Sequence, residues 1–278
     1  MSSPASDAAP RHLITTLYGL YARDPACPAE QRNWLSVASL VRLMADLGVD
    51  AAAVRSSVSR LKRRDVLRPE RHDGRAGYAL SPLTVEALRE GDRRIWDRPR
   101  ATPEDGWLVV VFSVPEAERD KRHALRSLLA RLAFGTAAPG VWVAPATSYD
   151  EVLGALDRRD LTSYTEFFRG DYLGAGDVAA RMAQWWDLDA IAAEYHHFLA
   201  AYDGLCGAAP EPGPAYRSYV PMLTAWRRLP YLDPGLPLEH LPGDWAGLAA
   251  GELFTELDAL LREPAACHAR ALLGDPQR

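Results

Sequence analysis

Residues Leu47 to Arg64 constrain this chain more than any other stretch: a glycine, an aspartate, then a short helix with two unlike faces. Gly48 permits a sharp turn, and the Asp50 carboxylate can accept the free N–H groups of the first helical turn. Val54, Val58 and Leu61 recur at i, i+4 and i+7 and form one apolar stripe. Arg55, Ser56, Ser59, Arg60 and Arg63 fall on the other side. A helix held by its apolar edge, offering arginines and small hydroxyls outward, is built like the reading element of a helix-turn-helix. An ordinary amphipathic helix with a solvated basic face has the same pattern, so this segment alone leaves both readings open.

The next residues separate them. Val66 to Arg71 and Arg75 to Leu80 are short strand patterns, and Asp73-Gly74 between them is a strong hairpin-turn signal. A two-stranded ribbon directly after such a helix is a wing, and its tip carries Arg71, His72 and Arg75, placed to meet phosphates or a minor groove. Two helices fit upstream. Arg11 to Ala22 has Leu13, Leu17 and Leu20 at helical spacing. Ser36 to Leu47 has Ser36 as N-cap and an apolar set of Val37, Leu40, Val41, Met44 and Leu47. Helix, helix, turn, helix, wing points to a winged helix that binds double-stranded DNA.

A net charge of −5 taken alone opposes that reading, but the distribution supports it. Residues 1 to 100 hold seventeen Lys and Arg against twelve Asp and Glu, a net of +5; the rest carries −10. A basic head on an acidic body confines DNA contacts to the head. Cys27, Cys206 and Cys267 stand far apart, implying neither a disulfide framework nor a zinc site. No apolar run approaches the length of a membrane span and Met1 to Pro10 lacks a signal-peptide segment, so a soluble, cytoplasmic chain is expected.

Composition breaks mark the remaining organisation. Pro82 to Trp96 reads as a helix leading out of the head, and Asp97 to Gly106 as a polar linker. Trp107 to Val114 is a buried-strand pattern, Lys121 to Leu132 a helix, Gly140 to Ala144 a strand, Tyr149 to Leu156 a helix and Ser163 to Phe168 a strand. That alternation suggests a small ferredoxin-like α/β domain. From Asp177 the pattern is helical: 178 to 186, 189 to 202, 216 to 228 and 245 to 261, with a last short helix beyond Pro264. Between the third and fourth lies a stiff loop with four prolines in the thirteen residues from Pro230 to Pro242. The expected fold is multidomain α+β: a winged helix over 1–97, a ferredoxin-like dimerisation domain over 105–175, and a helical domain with the proline-rich loop over 176–278.

Three blocks carry a resemblance to a known family: Leu17-Tyr18-Gly19 with Trp34-Leu35 and the helix-turn-helix, the β-α-β segment from Trp107, and Leu232-Asp233-Pro234-Gly235-Leu236-Pro237 running into Leu241-Pro242-Gly243-Asp244-Trp245-Ala246-Gly247. The chain resembles the PaaX-like transcriptional regulators, repressors of phenylacetic-acid catabolism, over residues 11 to 270. The resemblance implies a homodimer on a palindromic operator, released when it binds an aryl-acetyl-CoA thioester such as phenylacetyl-CoA. It also implies that the middle domain resembles the small CRISPR adaptation nuclease and carries the dimer interface.

A CoA thioester needs cations for phosphates and an apolar slot for the acyl group. Arg227 or Arg228 for phosphate, and Trp226 or Trp245 for the slot, are the candidates. The competing reading is structural: tryptophans at helical spacing serve as core, and Asp233 with an arginine pins the loop. His196-His197 lacks neighbouring ligands at metal spacing. On the DNA side, Arg55, Ser56 and Ser59 are candidates for base edges. Arg60, Lys62, Arg63, Arg71, His72 and Arg75 are candidates for phosphates, while Arg64 is set aside as a partner for Asp65 or Glu70.

An enzyme is the rival class. In the related nuclease fold a carboxylate sits near the end of the first strand, where this chain has Ser113, with Glu116 beyond a proline. No converging carboxylates, phosphate loop or nucleophile elbow is found, so no catalytic residue, metal or cofactor is expected. A winged-helix adaptor that meets protein rather than DNA, or a regulator answering to another acyl-CoA or metabolite, remains an alternative.

Overall fold

The computed structural model describes residues 9–23, 32–96, 99–174, 177–205 and 210–274. Among them the first elements are α1 (Pro10–Leu17), β1 (Trp34–Ser36), α2 (Val37–Asp46), α3 (Ala51–Arg63), β2 (Leu67–His72), β3 (Arg75–Leu80) and α4 (Pro82–Trp96). Next come β4 (Trp107–Phe112), α5 (Arg119–Arg131), β5 (Gly135–Ala138), β6 (Val141–Pro145), α6 (Tyr149–Asp157) and β7 (Thr165–Gly170). The remainder is helical: α7 (Val178–Trp185), α8 (Leu188–Tyr202), α9 (Pro212–Trp226) and α10 (Ala246–Leu273). The fold is mixed α+β, with two small sheets. No helix among the described residues is long and apolar enough to cross a membrane. Cys27 and Cys206 lie outside the described residues, and Cys267 is an exposed thiol.

The chain divides into two units. One comprises Met1–Trp96, Phe198–Arg227 and Ala250–Arg278; the other comprises Asp97–His197 and Arg228–Ala249. The helical residues beyond 177 are therefore shared between the units.

In the first unit, Ser36 caps α2 by accepting the Ser39 N–H at 3.0 Å. The turn to α3 passes through Gly48 at φ +79°, and Asp50 Oδ1 accepts the N–H groups of Ala52 and Ala53 at 2.8 and 2.9 Å. α1 continues into a π-helical turn over Tyr18–Ala22, whose Tyr18 hydroxyl donates to the Tyr78 carbonyl at 2.8 Å. Val54, Val58 and Leu61 are buried as their spacing predicts. On α2 the core positions are Leu40, Leu43 and Met44, with Leu47 buried just beyond; Val37 is exposed and Val41 half-buried. The expected apolar set is corrected there, because Leu43 rather than Val37 or Val41 takes the interior.

β2 and β3 pair antiparallel from Leu67↔Leu80 to His72↔Arg75, leaving Asp73 and Gly74 as a two-residue turn. Both turn residues have positive φ, 49° and 76°, the geometry that matches the twist of a hairpin. β1 adds a third strand on β3, giving the order β1-β3-β2. The sequence does not announce that strand, because three residues show no period.

α4, the end of α8, α9 and most of α10 build the rest of this unit. Tyr216, Tyr219, Val220, Met222 and Leu223 of α9 are buried, and the Tyr216 hydroxyl donates to the Leu43 carbonyl of α2 at 2.9 Å. α10 runs unbroken through Pro264, where the sequence pattern predicts a break and a separate short helix. A proline removes one helical donor and crowds the preceding turn. Here Leu257, Leu261, Ala265 and Ala269 keep one buried face on both sides of it, and packing carries the helix through.

In the second unit, four antiparallel strands lie in the order β5-β6-β4-β7. Leu125, Leu128 and Leu129 of α5 and Val152 and Leu156 of α6 share one core with Leu108 and Val110 of β4. The sequence reading finds three of these strands and misses β5. Gly-Thr-Ala-Ala has neither alternation nor a β-branched run, and only its glycine is buried. Trp186 explains that glycine: a Cβ on Gly135 would lie 2.7 Å from the indole, which donates to the Ala133 carbonyl at 2.8 Å.

Candidate nucleic-acid interface

α3 sorts its side chains by depth. Ser57, with the apolar stripe, faces inward, while Arg55, Ser56, Ser59, Arg60, Lys62 and Arg63 are all exposed. The cap that starts the helix is itself polarised, since the Ala53 and Ala52 N–H groups hold the Asp50 carboxyl below the usual carboxylate range. Arg60 reaches back to the Ser56 hydroxyl at 3.4 Å, a contact long enough to be exchanged for a ligand oxygen. Lys62 lies over the Tyr78 ring of β3 at 5.9 Å. Asp65 and Glu70 are engaged by other residues: Asp65 by Arg68 at 2.7 Å, and Glu70 by His72 at 2.6 Å.

At the hairpin tip, Arg71 and Arg75 are exposed. Arg71 donates to the Gly74 carbonyl at 2.7 Å, bracing the turn, and Arg75 lies 3.9 Å from Asp73. His72 differs from its two neighbours. Its ring packs edge-on against Trp34 at 4.9 Å, and its Nε2 approaches Glu70 without the alignment of a hydrogen bond. Trp34 in turn covers Gly77, where a Cβ would lie 2.4 Å from the indole and from the Leu35 carbonyl. The tip therefore presents two exposed arginines, with the half-buried His72 packed on Trp34.

The four residues considered for an effector are divided between the units. Trp226 belongs to the first and is 7% exposed. It stacks on Phe254 at 4.3 Å and 10°, meets Phe198 at 5.2 Å, and donates to the Ile95 carbonyl at 3.4 Å. Arg227 bonds the Thr16 hydroxyl at 3.2 Å in the same unit. Arg228 is exposed in the second unit. Trp245, also there, is buried edge-on against Tyr195 at 6.1 Å, and its indole N–H has no hydrogen-bond partner among the described residues.

The proline-rich loop is organised by Asp233, which is 4% exposed. Arg100 binds it at 2.6 Å, the Tyr195 hydroxyl donates at 2.9 Å and the Gly235 N–H at 2.7 Å. Burial works against the charge on this carboxylate. Arg100 and the two further donors outweigh burial and hold the group below its usual range. The sequence offers an arginine for Asp233 without saying which; Arg100 lies in the linker, and nothing local to the loop points to it.

A second cluster escapes the sequence entirely. Asp46, at the end of α2, meets His268 of α10 at 3.0 Å and Arg217 of α9 at 3.4 Å. Arg42 of α2 donates to the Leu272 carbonyl at 3.1 Å. The last helices thus grip α2 at two of its side chains, Asp46 and Arg42, and at its Leu43 carbonyl. No sequence period links residues more than 170 positions apart.

Comparison with known proteins covers almost all of these elements. A family model described as PaaX-like protein matches residues 9–83. One described as PaaX protein central Cas2-like domain matches 100–182, and one described as PaaX-like protein C-terminal domain matches 186–271. The transcriptional repressor PaaX of Escherichia coli (strain K12) is 25% identical over 250 residues, 87% of this chain and 77% of that protein. Among solved structures, the uncharacterized protein Rv0674 from Mycobacterium tuberculosis matches 92% of this chain and 96% of its own, with a TM-score of 0.56. At 23% identity that likeness speaks for the fold alone.

Proposed function

The chain belongs to the PaaX-like family of regulators, and from that premise we propose that it is a sequence-specific transcriptional repressor of aromatic-acid, phenylacetate-type catabolic genes. It acts in the cytoplasm as a homodimer on a double-stranded DNA operator, and an aryl-acetyl-CoA thioester such as phenylacetyl-CoA releases it. The observation that carries the reading is α3: an Asp-capped helix with a buried aliphatic edge and an exposed Arg/Ser/Lys face, followed directly by a hairpin with two arginines at its tip. Residues 1–97 then work as a winged helix. Arg55, Ser56 and Ser59 read base edges, and Arg60, Lys62, Arg63, Arg71 and Arg75 hold phosphates, with His72 setting the hairpin's angle.

Residues 105–175, within the second unit, work as a ferredoxin-like dimerisation domain, a reading supported by the strand order and by the Cas2-like match. Nuclease chemistry is disfavoured by the residues just beyond β4. Ser113 stands where a carboxylate would be needed, and Glu116 is paired with Arg122 at 2.9 Å. The protein is therefore read as a regulator and not as an enzyme.

Release follows linkage. An effector displaces DNA only as far as it prefers the state that cannot bind DNA, and a hundredfold preference lowers operator affinity by about a hundredfold. Arg228 is the exposed cation for a CoA phosphate, and the Trp245 N–H is a donor awaiting an acceptor. Trp226 and Arg227 serve the packing of the first unit.

Thermal stability against a panel of thioesters, free acids and free CoA tests the ligand. A compound that binds the folded state adds about 2.7 kcal/mol at a hundred times its Kd. A selective rise with phenylacetyl-CoA is expected. No rise with any thioester would remove the effector from this reading and leave a DNA binder with another signal.

A further inference from the structure

Two valines of α2 are left where a core helix should not leave them. Val37 is 38% exposed and Val41 half-buried, while Leu40, Leu43 and Met44 take the interior. Both line an open cleft of about 250 Å³ whose other walls are Arg55, Ser59 and Lys62 of α3 and Tyr78 of β3. Its floor is aliphatic as well, formed by the buried Val54 and Val58. An aliphatic shelf thus runs alongside the exposed Arg55–Ser59–Lys62 stripe.

Such a shelf sets conditions on its occupant. The occupant must carry an apolar group, and that group must sit beside hydrogen-bonding edges and negative charge. A major groove contains one apolar group, the C5-methyl of thymine, and it projects next to the edges that Arg and Ser contact. Aliphatic side chains placed there either meet that methyl or leave it and themselves wet.

We propose that Val37 and Val41 form a thymine-reading shelf: they receive a thymine methyl at the base pair adjacent to the one contacted by Arg55 and Ser59. This rests on α3 being the DNA-reading helix. The shelf makes α2, and not only α3, a determinant of sequence preference. Burying one methyl is worth about 0.8 kcal/mol, or about fourfold in affinity.

The test uses the full-length protein. Duplexes are selected from a random library, and each thymine of the enriched site is replaced singly by deoxyuridine, which removes only the methyl. The wild-type protein is expected to lose about fourfold at one thymine per half-site. Val37→Ser and Val41→Ser should lose a similar amount on the parent duplex and be indifferent to deoxyuridine at that position. Both side chains are at least partly exposed, so the melting temperature checks that each variant is folded. Indifference of the wild-type protein to deoxyuridine at every thymine would overturn the shelf and leave DNA binding standing. An equal loss in the valine variants on all sequences would also overturn it, because the shelf would then be packing on sugar and phosphate. Failure to enrich any duplex would sink the DNA-binding reading itself, and the shelf with it.

Discussion

Arg100 and Asp233 meet as an ion pair, Nη2 to Oδ2 at 2.6 Å, across 133 residues of sequence. The same arginine donates to the Leu236 carbonyl at 3.1 Å, and the Ala101 N–H bonds the Gly235 carbonyl at 3.0 Å. The linker and the proline-rich loop are therefore one structural device. Removing Asp233 strands a guanidinium that is only about one-fifth exposed. Asp233→Ala should cost about 3 kcal/mol, read as a lower melting temperature. Replacing both partners with apolar residues of similar volume should recover part of that loss.

Acid should weaken the same device. The Asp233 carboxyl is held below its usual range in the folded protein, so its contribution is complete above the unfolded value of about 3.9. That contribution is lost as pH falls below about 4 through the depressed folded value. The melting temperature of wild-type protein should fall more steeply on acidification than that of Asp233→Asn. Parallel curves for the two would show that the pair contributes nothing to acid sensitivity.

The two classes of DNA contact should separate by salt. Arg71→Ala and Arg75→Ala should each lower the slope of log K against log salt by about one unit, equally on all duplexes. Arg55→Ala should instead cost about 1–3 kcal/mol on the selected site and relax preference at one position. Equal losses on specific and random duplexes for all three variants would place Arg55 among the phosphate contacts.

Trp226 and Arg228, adjacent to Arg227 on either side, should behave as opposites. Trp226 is buried against Phe254 and Phe198, so Trp226→Ala should cost about 3–5 kcal/mol of stability. Arg228 is exposed, and Arg228→Ala should leave the melting temperature unchanged while weakening the response to a CoA thioester. An unchanged thioester response would remove Arg228 from the ligand site.

Legibility in the sequence divides along the range of the interactions. α3, its cap and the hairpin are legible because apolar period, Asp50 and Asp73-Gly74 act within a few residues. β5 is not, since Gly135 is explained by Trp185 and Trp186, which arrive from far along the chain. The Asp46–His268 contact and the identity of Arg100 as the partner of Asp233 are likewise tertiary. Val37 and Val41 satisfy the helical period yet stay outside the core, because spacing reports a face and not what covers it. For the effector, residue chemistry draws Trp226, Arg227, Arg228 and Trp245 together as near neighbours in sequence, whereas packing assigns them to two units.

Titrating phenylacetyl-CoA into a complex of the protein with its selected duplex, followed by fluorescence anisotropy of the labelled DNA, tests the central claim most directly. The account predicts that the thioester releases the duplex, while phenylacetate and free CoA at the same concentrations do not. A complex that persists at saturating levels of every aryl-acetyl thioester tried would contradict it.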